Sequence, residues 1–317
     1  MITLITEPSL YPWHNLIKGV KNIIKRIIGR PILAYSGHYA VMRSIHAGLK
    51  ELEIPFNYNP KNPFCFYKHV HVFGNLKALR MAIILKKLGL IHRLTVGPNL
   101  VIVPSENKLA TSSAIDLYLV NSQWTYDCYI QDAPSLKDRI DIWPAGVDYD
   151  FWNIEKKQDA NQILVYSKRP QEKLLEECVS FLKKENENVA ILKYGNYTIS
   201  QFKEYLATAK TVVYFVEQES QGIALFEIWA SNTPTIVWNP GNFNYNMKNY
   251  ACSSAPYLST QTGAFFEDIE SFKRLYNEGA FNPNLYQPNE WIKDNGTDKV
   301  SAEIFMNKTT NSKKNDK

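Results

Sequence analysis

The stretch from Thr211 to Asn239, TVVYFVEQESQGIALFEIWASNTPTIVWN, constrains the fold more than any other part of the chain. TVVYFV is a short β-branched and aromatic run, which reads as a buried strand. Gly222 to Ala230 reads as a helix, stopped by Ser231, Asn232 and the Thr233-Pro234 pair, and Thr235 to Trp238 reads as the next strand. Strand, loop, helix and strand make a βαβ unit, and in open α/β sheets a ligand sits beyond the carboxyl ends of the strands.

Alternation of the same kind runs through the chain. In the first half, Pro31 to Tyr35 reads as a strand, and Ser36, Gly37 and His38 as a turn into a helix from about Tyr39 to Leu52. A strand-like region around Phe64 to Phe73 precedes a helix from about Leu76 to Leu88. LTVGPNLVIVP then reads as strand, turn and strand, and IDLYLVNS as a strand ending at Ser122. A boundary follows WPAGVDYDFW at 143–152, after which EKKQDANQ leads to the strand ILVYS at 163–167, the pair Lys168-Arg169, and a helix near Gln171 to Lys184. The expected class is α/β, with two Rossmann-like doubly wound domains facing across a cleft, 1–152 and 153–306, and a disordered tail at 307–317.

Composition sets outer limits. A chain of 317 residues, 45% hydrophobic and 21% charged, suits two globular domains. No stretch is long and apolar enough to span a membrane, and the N-terminus lacks a cleavable signal pattern. Cys65, Cys128, Cys178 and Cys252 have no metal-ligand spacing and read as free thiols in a reducing, cytoplasmic compartment, so the sequons at Asn196, Asn295 and Asn307 read as chance matches. Residues 16–30, LIKGVKNIIKRIIGR, carry Lys18, Lys21, Lys25, Arg26 and Arg30 with no acid, against a chain total of +5. Ile23, Ile24, Ile27 and Ile28 recur there at helical spacing. Two readings stand: a basic amphipathic helix resting on an anionic membrane surface, or a surface helix packing its isoleucines on the core.

The loop before Gly222 carries the chemistry. Backbone N–H groups near Gly222, Ile223 and Ala224 open a helix and favour an anion such as phosphate, while Gly222 permits close approach. Helical side chains lean toward the helix N-terminus, so Glu227 reaches back toward the same crevice as Glu219. Carboxylates offer acceptors only, and their fitting partners are the hydroxyls of a ribose or a sugar. Anion-binding amides beside hydroxyl-binding carboxylates point to a sugar nucleotide.

These residues resemble the GT-B-fold glycosyltransferases, specifically the retaining family 4 group. Glu219 and Glu227, separated by seven residues, match its paired-glutamate motif, and NTPTIVWN is similar to its usual continuation. Upstream, VNSQWTYDCYI and RIDIWPAGVDYDFW resemble the crossing between its domains, and Lys168-Arg169 resembles the basic pair that holds the donor diphosphate. The ordered matches run from about residue 95 to 240. The resemblance implies that Glu227 binds the ribose, Glu219 faces the donor sugar, and Lys168 and Arg169 neutralise the leaving diphosphate. It implies that Ser220 and the amides of Gly222, Ile223 and Ala224 support the same ligand, and that Tyr194 and Gly195 pack on the base. On the acceptor side stand Gly37, His38, Gly97 and Asn99.

The chain also departs from the family. Ser220 and Gln221 follow the first glutamate, where many members have glycine, and the N-domain strand is followed by Gly97, Pro98 and Asn99, where many place a histidine. His69 and His71 lie on an earlier segment and take no such role. Asp148 and Asp150 in GVDYDFW could suggest a divalent metal, but the basic pair already balances a diphosphate, so no metal and no cofactor is expected. The expected activity is hexosyl transfer with retention to a hydroxyl of a glycan or lipid-linked acceptor, with no nucleic-acid partner. An epimerase or phosphorylase of the same fold lacks its extra acid/base or cofactor-lysine signature here, and a non-catalytic nucleotide-sugar-binding or membrane-surface scaffold is the alternative outside enzymes.

Overall fold

The computed structural model describes residues 1–10, 37–62 and 65–310. The segment 16–30, the strand expected at Pro31 to Tyr35 and residues 311–317 lie outside them. The chain divides into two compact units, Met1–Ala145 with Ser301–Lys317, and Gly146–Val300.

The first unit is built on a parallel sheet of six strands: β1 (Ile2–Ile5), β2 (Phe56–Tyr58), β3 (Tyr67–Val72), β4 (Ile91–Val96), β5 (Leu117–Val120) and β6 (Ile140–Ile142). Their order is β2-β1-β3-β4-β5-β6. β1, ITLI, is buried along its whole length, Thr3 included, as an interior strand of a parallel sheet should be. The helix Leu76–Lys87 starts where Asn75 accepts hydrogen bonds from the amides of Lys77 and Ala78, and it lays Leu79, Ala82 and Ile83 on the sheet. LVIV after Pro98 is not the expected strand. The place beside β4 is taken by β5, which pairs at Thr95–Leu117. Leu100 and Val103 instead bury their side chains from a loop, and the carbonyl of Val101 accepts the Tyr129 hydroxyl.

The second unit carries a parallel sheet of β7 (Gln162–Lys168), β8 (Val189–Lys193), β9 (Ala209–Val216), β10 (Thr235–Trp238) and β13 (Gly263–Phe266). Their order is β13-β10-β9-β7-β8, and a hairpin of β11 (Asn242–Tyr245) and β12 (Lys248–Ala251) lies between β10 and β13 in sequence. Helices cover both faces. Leu174, Cys178 and Phe272 pack on one side of the sheet, and Phe202, Phe226 and Trp229 on the other, which is the doubly wound arrangement.

The units divide earlier than the expected limit at 152/153. The short helix Tyr149–Trp152 belongs to the second unit, where Trp152 packs edge-on against Phe202. At the other end, Asn307 to Thr310 do not begin a disordered tail but finish the helix Asp298–Thr310. From Ser301 on, that helix belongs to the first unit: Phe305 packs on His71, Phe73 and Trp143, the Trp143 indole donates to the Ser301 carbonyl, and Lys308 pairs with Asp141 at 2.6 Å. A fully buried phenylalanine one turn before a polar end is enough to keep that end folded.

Candidate active site

The second unit brings the predicted residues to the carboxyl ends of β7 and β9. Lys168, the last residue of β7, places Nζ 2.7 Å from Oε1 of Glu219 and 4.9 Å from the centre of the Tyr194 ring. The Tyr214 hydroxyl donates to the same Glu219 oxygen at 3.2 Å. The backbone holds both walls: the Tyr194 amide donates to the Ser167 carbonyl, and the Glu219 amide to that of Ser253.

Three tyrosines that sequence reasoning missed form the floor. Tyr166 on β7 and Tyr214 on β9 are register partners, and their rings stack 5.0 Å apart at 3°. The Tyr166 hydroxyl meets that of Tyr197 at 3.0 Å. Burial pushes all three phenols up, Tyr197 to about 12 and Tyr166 and Tyr214 well above their ordinary value, and the charges of Glu219 and Glu227 act in the same direction on Tyr166 and Tyr197. The phenols therefore stay protonated and serve as hydrogen-bonding groups, not as bases. The one sequence signal was a tyrosine at the inward end of both ILVYS and TVVYFV.

Gly222 stands at the N-cap of the helix Ile223–Ala230 with φ +86°. This left-handed position suits glycine, and an added Cβ would sit 2.7 Å from Leu225 Cδ1. The first-turn N–H groups of a helix have no partner within it, so those of Ile223 and Ala224 are available to an anion beside Ser220 and Glu219. Glu227, one turn in, is buried, and its charge reaches Tyr166 and Tyr197. Both carboxylates thus border one tyrosine cluster.

Arg169 goes elsewhere. With φ +54° it leaves the strand exposed and lines a separate concavity with Glu217 and Trp238, so the two cations of the basic pair serve different surroundings. Gly195, at φ +83°, turns the chain after Tyr194. Asp148 caps its own short helix by accepting the Phe151 amide at 3.0 Å.

In the first unit, Gly37 opens the helix Gly37–Glu51, and the half-buried ring of His38 lies against Gly74, where an added Cβ would come within 2.4 Å of it. Burial lowers the His38 pKa, which keeps the ring neutral at pH 7. Gly97 packs so tightly on the Leu119 carbonyl that a Cβ would fall 2.1 Å from its oxygen, and its own carbonyl accepts from His71 Nε2 at 2.7 Å. Asn99 is exposed, at φ +62°. His71, set aside on sequence, thus bonds to the backbone of an expected site residue, although it is fully buried.

The fold has counterparts among solved structures. The chain is similar to HepE of Anabaena in complex with UDP and glucose, with a TM-score of 0.59 and 10% identity over 98% of this chain and 99% of that one. It is similar to the lipopolysaccharide outer core galactosyltransferase WaaB in its apo form, with a TM-score of 0.57 and 12% identity over 97% and 98%. A mutant of S. aureus TarM in complex with fondaparinux, alpha-GlcNAc-glycerol and UDP matches with a TM-score of 0.51 and 13% identity, over 86% of this chain and 59% of that one. No family model and no curated protein matches the chain. At these identities the likeness shows the fold, which is that of the GT-B glycosyltransferases.

Proposed function

We propose that the chain is a glycosyltransferase that moves a hexosyl group, with retention and without a metal, from a nucleoside-diphosphate sugar to a hydroxyl of a glycan or lipid-linked acceptor. The observation that carries this reading is the cluster of Lys168, Glu219 and Tyr214 at the carboxyl ends of β7 and β9, beside the glycine-opened helix that bears Glu227. The helix N-terminus takes the diphosphate, Lys168 stabilises it from the strand side, and Glu227 takes the ribose hydroxyls. Glu219 faces the sugar, and Tyr194 and Gly195 border the base. In the transfer, the bond from the anomeric carbon to the phosphate oxygen breaks, and its electron pair leaves with the diphosphate. A bond to the acceptor oxygen forms, and the acceptor proton passes to the departing phosphate oxygen. No side chain has to act as base, in keeping with phenols that stay protonated.

A thermal-shift screen of nucleoside diphosphates tests donor binding, with UDP first because HepE and TarM are described in complex with it. A ligand at a hundredfold excess over its Kd adds about 2.7 kcal/mol to stability. Glu227→Ala is expected to weaken binding of that nucleotide by about 1.5–3 kcal/mol, the scale of hydrogen bonds to a charged group. Unchanged affinity sinks the ribose assignment. Nucleotide binding with no donor turnover in the native chain would leave a nucleotide-sugar-binding protein in place of the enzyme.

The acceptor reading extends to residues 16–30. No helix among the described residues is long and apolar enough to cross a membrane. Five cations on that segment, each contributing about 1 kcal/mol near an anionic surface, are expected to support reversible attachment that weakens as salt rises. Co-sedimentation with anionic and with neutral vesicles checks this, for the native chain and for a variant with Lys18, Lys21, Lys25 and Arg26 changed to Gln. A native chain that ignores anionic vesicles at low salt removes the membrane from the proposal and leaves a soluble acceptor.

A further inference from the structure

We propose that the second unit carries a saccharide subsite of its own, in a concavity of about 730 Å³ at the carboxyl edge of β7, β9, β10 and β13. Its volume falls within the range of small-ligand sites, roughly 300–1,000 Å³. Four neighbouring parallel strands release their chains into it: Arg169 and Gln171 follow β7, Glu217 follows β9, Asn239 follows β10 and Glu267 follows β13. The hairpin supplies the remaining wall. Asn242, Phe243 and Asn244 of β11 all line the concavity; alternation leaves the two asparagines exposed and Phe243 buried, stacked 5.4 Å from Tyr250.

The chemistry of the lining selects the ligand. Side-chain amides both donate and accept, Glu217 and Glu267 accept only, and Arg169 donates only, so the wall offers both halves of the hydrogen bonds that a sugar hydroxyl makes. One positive and two negative side chains leave a net charge of −1, which disfavours a phosphate or a nucleic acid. Two of the amides are held in place: Asn239 Oδ1 accepts the Ser254 amide at 3.0 Å, and Asn242 Nδ2 donates to the Pro240 carbonyl at 3.2 Å. The Trp238 indole N–H is committed to the Glu267 carbonyl at 3.2 Å, so the part of Trp238 that lines the concavity joins Pro170 and Pro240 as apolar wall. Amides, carboxylates and apolar patches together match a pyranose, which shows hydroxyls at its rim and C–H groups on its faces.

The subsite begins one residue from Lys168, so a glycan seated there is placed to continue from the sugar being transferred. That role as an acceptor subsite rests on the glycosyltransferase reading, whereas saccharide binding itself does not. The test is saturation-transfer NMR on the full chain with free glucose, galactose, N-acetylglucosamine, maltose, lactose and chitobiose at millimolar concentration, with UDP as a separate ligand. At least one sugar is expected to show transfer, reduced five-fold or more in N242A/N244A and in E267Q. UDP binding and melting temperature should be unchanged in these variants, whose altered side chains are exposed in the native chain. The proposal is overturned if no sugar on the panel shows transfer, or if the signal is as strong in N242A/N244A as in the native chain. UDP binding without sugar binding sinks the subsite and leaves the enzyme reading intact. Asn242-dependent sugar binding without binding of any nucleoside diphosphate supports the subsite and counts against the enzyme.

Discussion

Lys168→Met is expected to lower kcat by about 100-fold or more, the scale on which loss of one preorganised group at a developing oxyanion acts. The reason lies in what the ammonium faces before and during transfer. In the free protein it is paired with Glu219 at 2.7 Å and sits over the Tyr194 ring, in a half-buried setting where electrostatic interactions are stronger than in water. In the proposed transfer a bound diphosphate shares that cation, and as the glycosidic bond breaks, negative charge grows on the departing oxygen. The interaction therefore strengthens in the transition state more than in the bound donor, and the variant should lose turnover more than donor affinity. Lys168→Arg keeps the charge and should recover part of the rate. Steady-state kinetics together with donor Kd for both variants decide the matter. Equal losses in kcat and in affinity would reduce Lys168 to a binding residue, and a kcat within three-fold of native would remove it from the site. Glu219 stays hydrogen-bonded to Tyr214 when Lys168 is gone, so the folded state should persist, which a melting curve verifies.

The second unit was legible where chain breakers bracket each element. Lys168-Arg169-Pro170 closes β7, Gly222 opens the helix with its left-handed φ, and Thr233-Pro234 separates that helix from β10, so local sequence alone placed the strands and helices around the two glutamates. The tyrosine floor was not legible, because Tyr166 and Tyr214 meet only through the register of two strands that are not consecutive in the chain. The parting of Lys168 and Arg169 follows from the strand end, where successive side chains point opposite ways, but the left-handed turn at Arg169 has no local marker. β1 escaped because four residues, three of them apolar, are too short a signal, and the hairpin because NFNY and KNYA are polar segments that pair only with each other. LVIV misled in the opposite direction: its β-branched composition is real, but β5 occupies the only place beside β4 where it could pair.

Acid is expected to unfold the protein by way of His71, a fully buried residue of the first unit. Its Nε2 lies 2.7 Å from the Gly97 carbonyl, which can only accept, so Nε2 carries the hydrogen and Nδ1 of the neutral ring accepts from the Thr95 hydroxyl at 2.8 Å. The Thr95 oxygen in turn accepts from His69 Nε2 at 3.0 Å, so the chain of hydrogen bonds is directed and complete while His71 is neutral. A proton on Nδ1 would turn the Thr95 hydroxyl away to its longer contact with the Val70 carbonyl, at 3.4 Å, and would put a charge inside a fully buried site packed by Phe73 and Phe305. Burial accordingly pushes the His71 pKa down to about 3, from an ordinary 6.5, despite the opposing pull of the Gly97 carbonyl. Between those two values the unfolded chain binds a proton that the folded chain refuses, so stability falls as pH falls through this window and is unaffected by this group above it. Each pH unit is worth about 1.4 kcal/mol, so lowering the pH from 6.5 to 4 should cost about 3 kcal/mol through His71 alone. His69, lowered to about 4 by burial and by Arg93, acts in the same direction over a narrower range. Urea unfolding at pH 7, 5.5 and 4 measures the slope. His71→Gln, which cannot titrate, should be less stable at pH 7 yet lose less on acidification, and an unchanged slope in that variant would move the acid sensitivity to other groups.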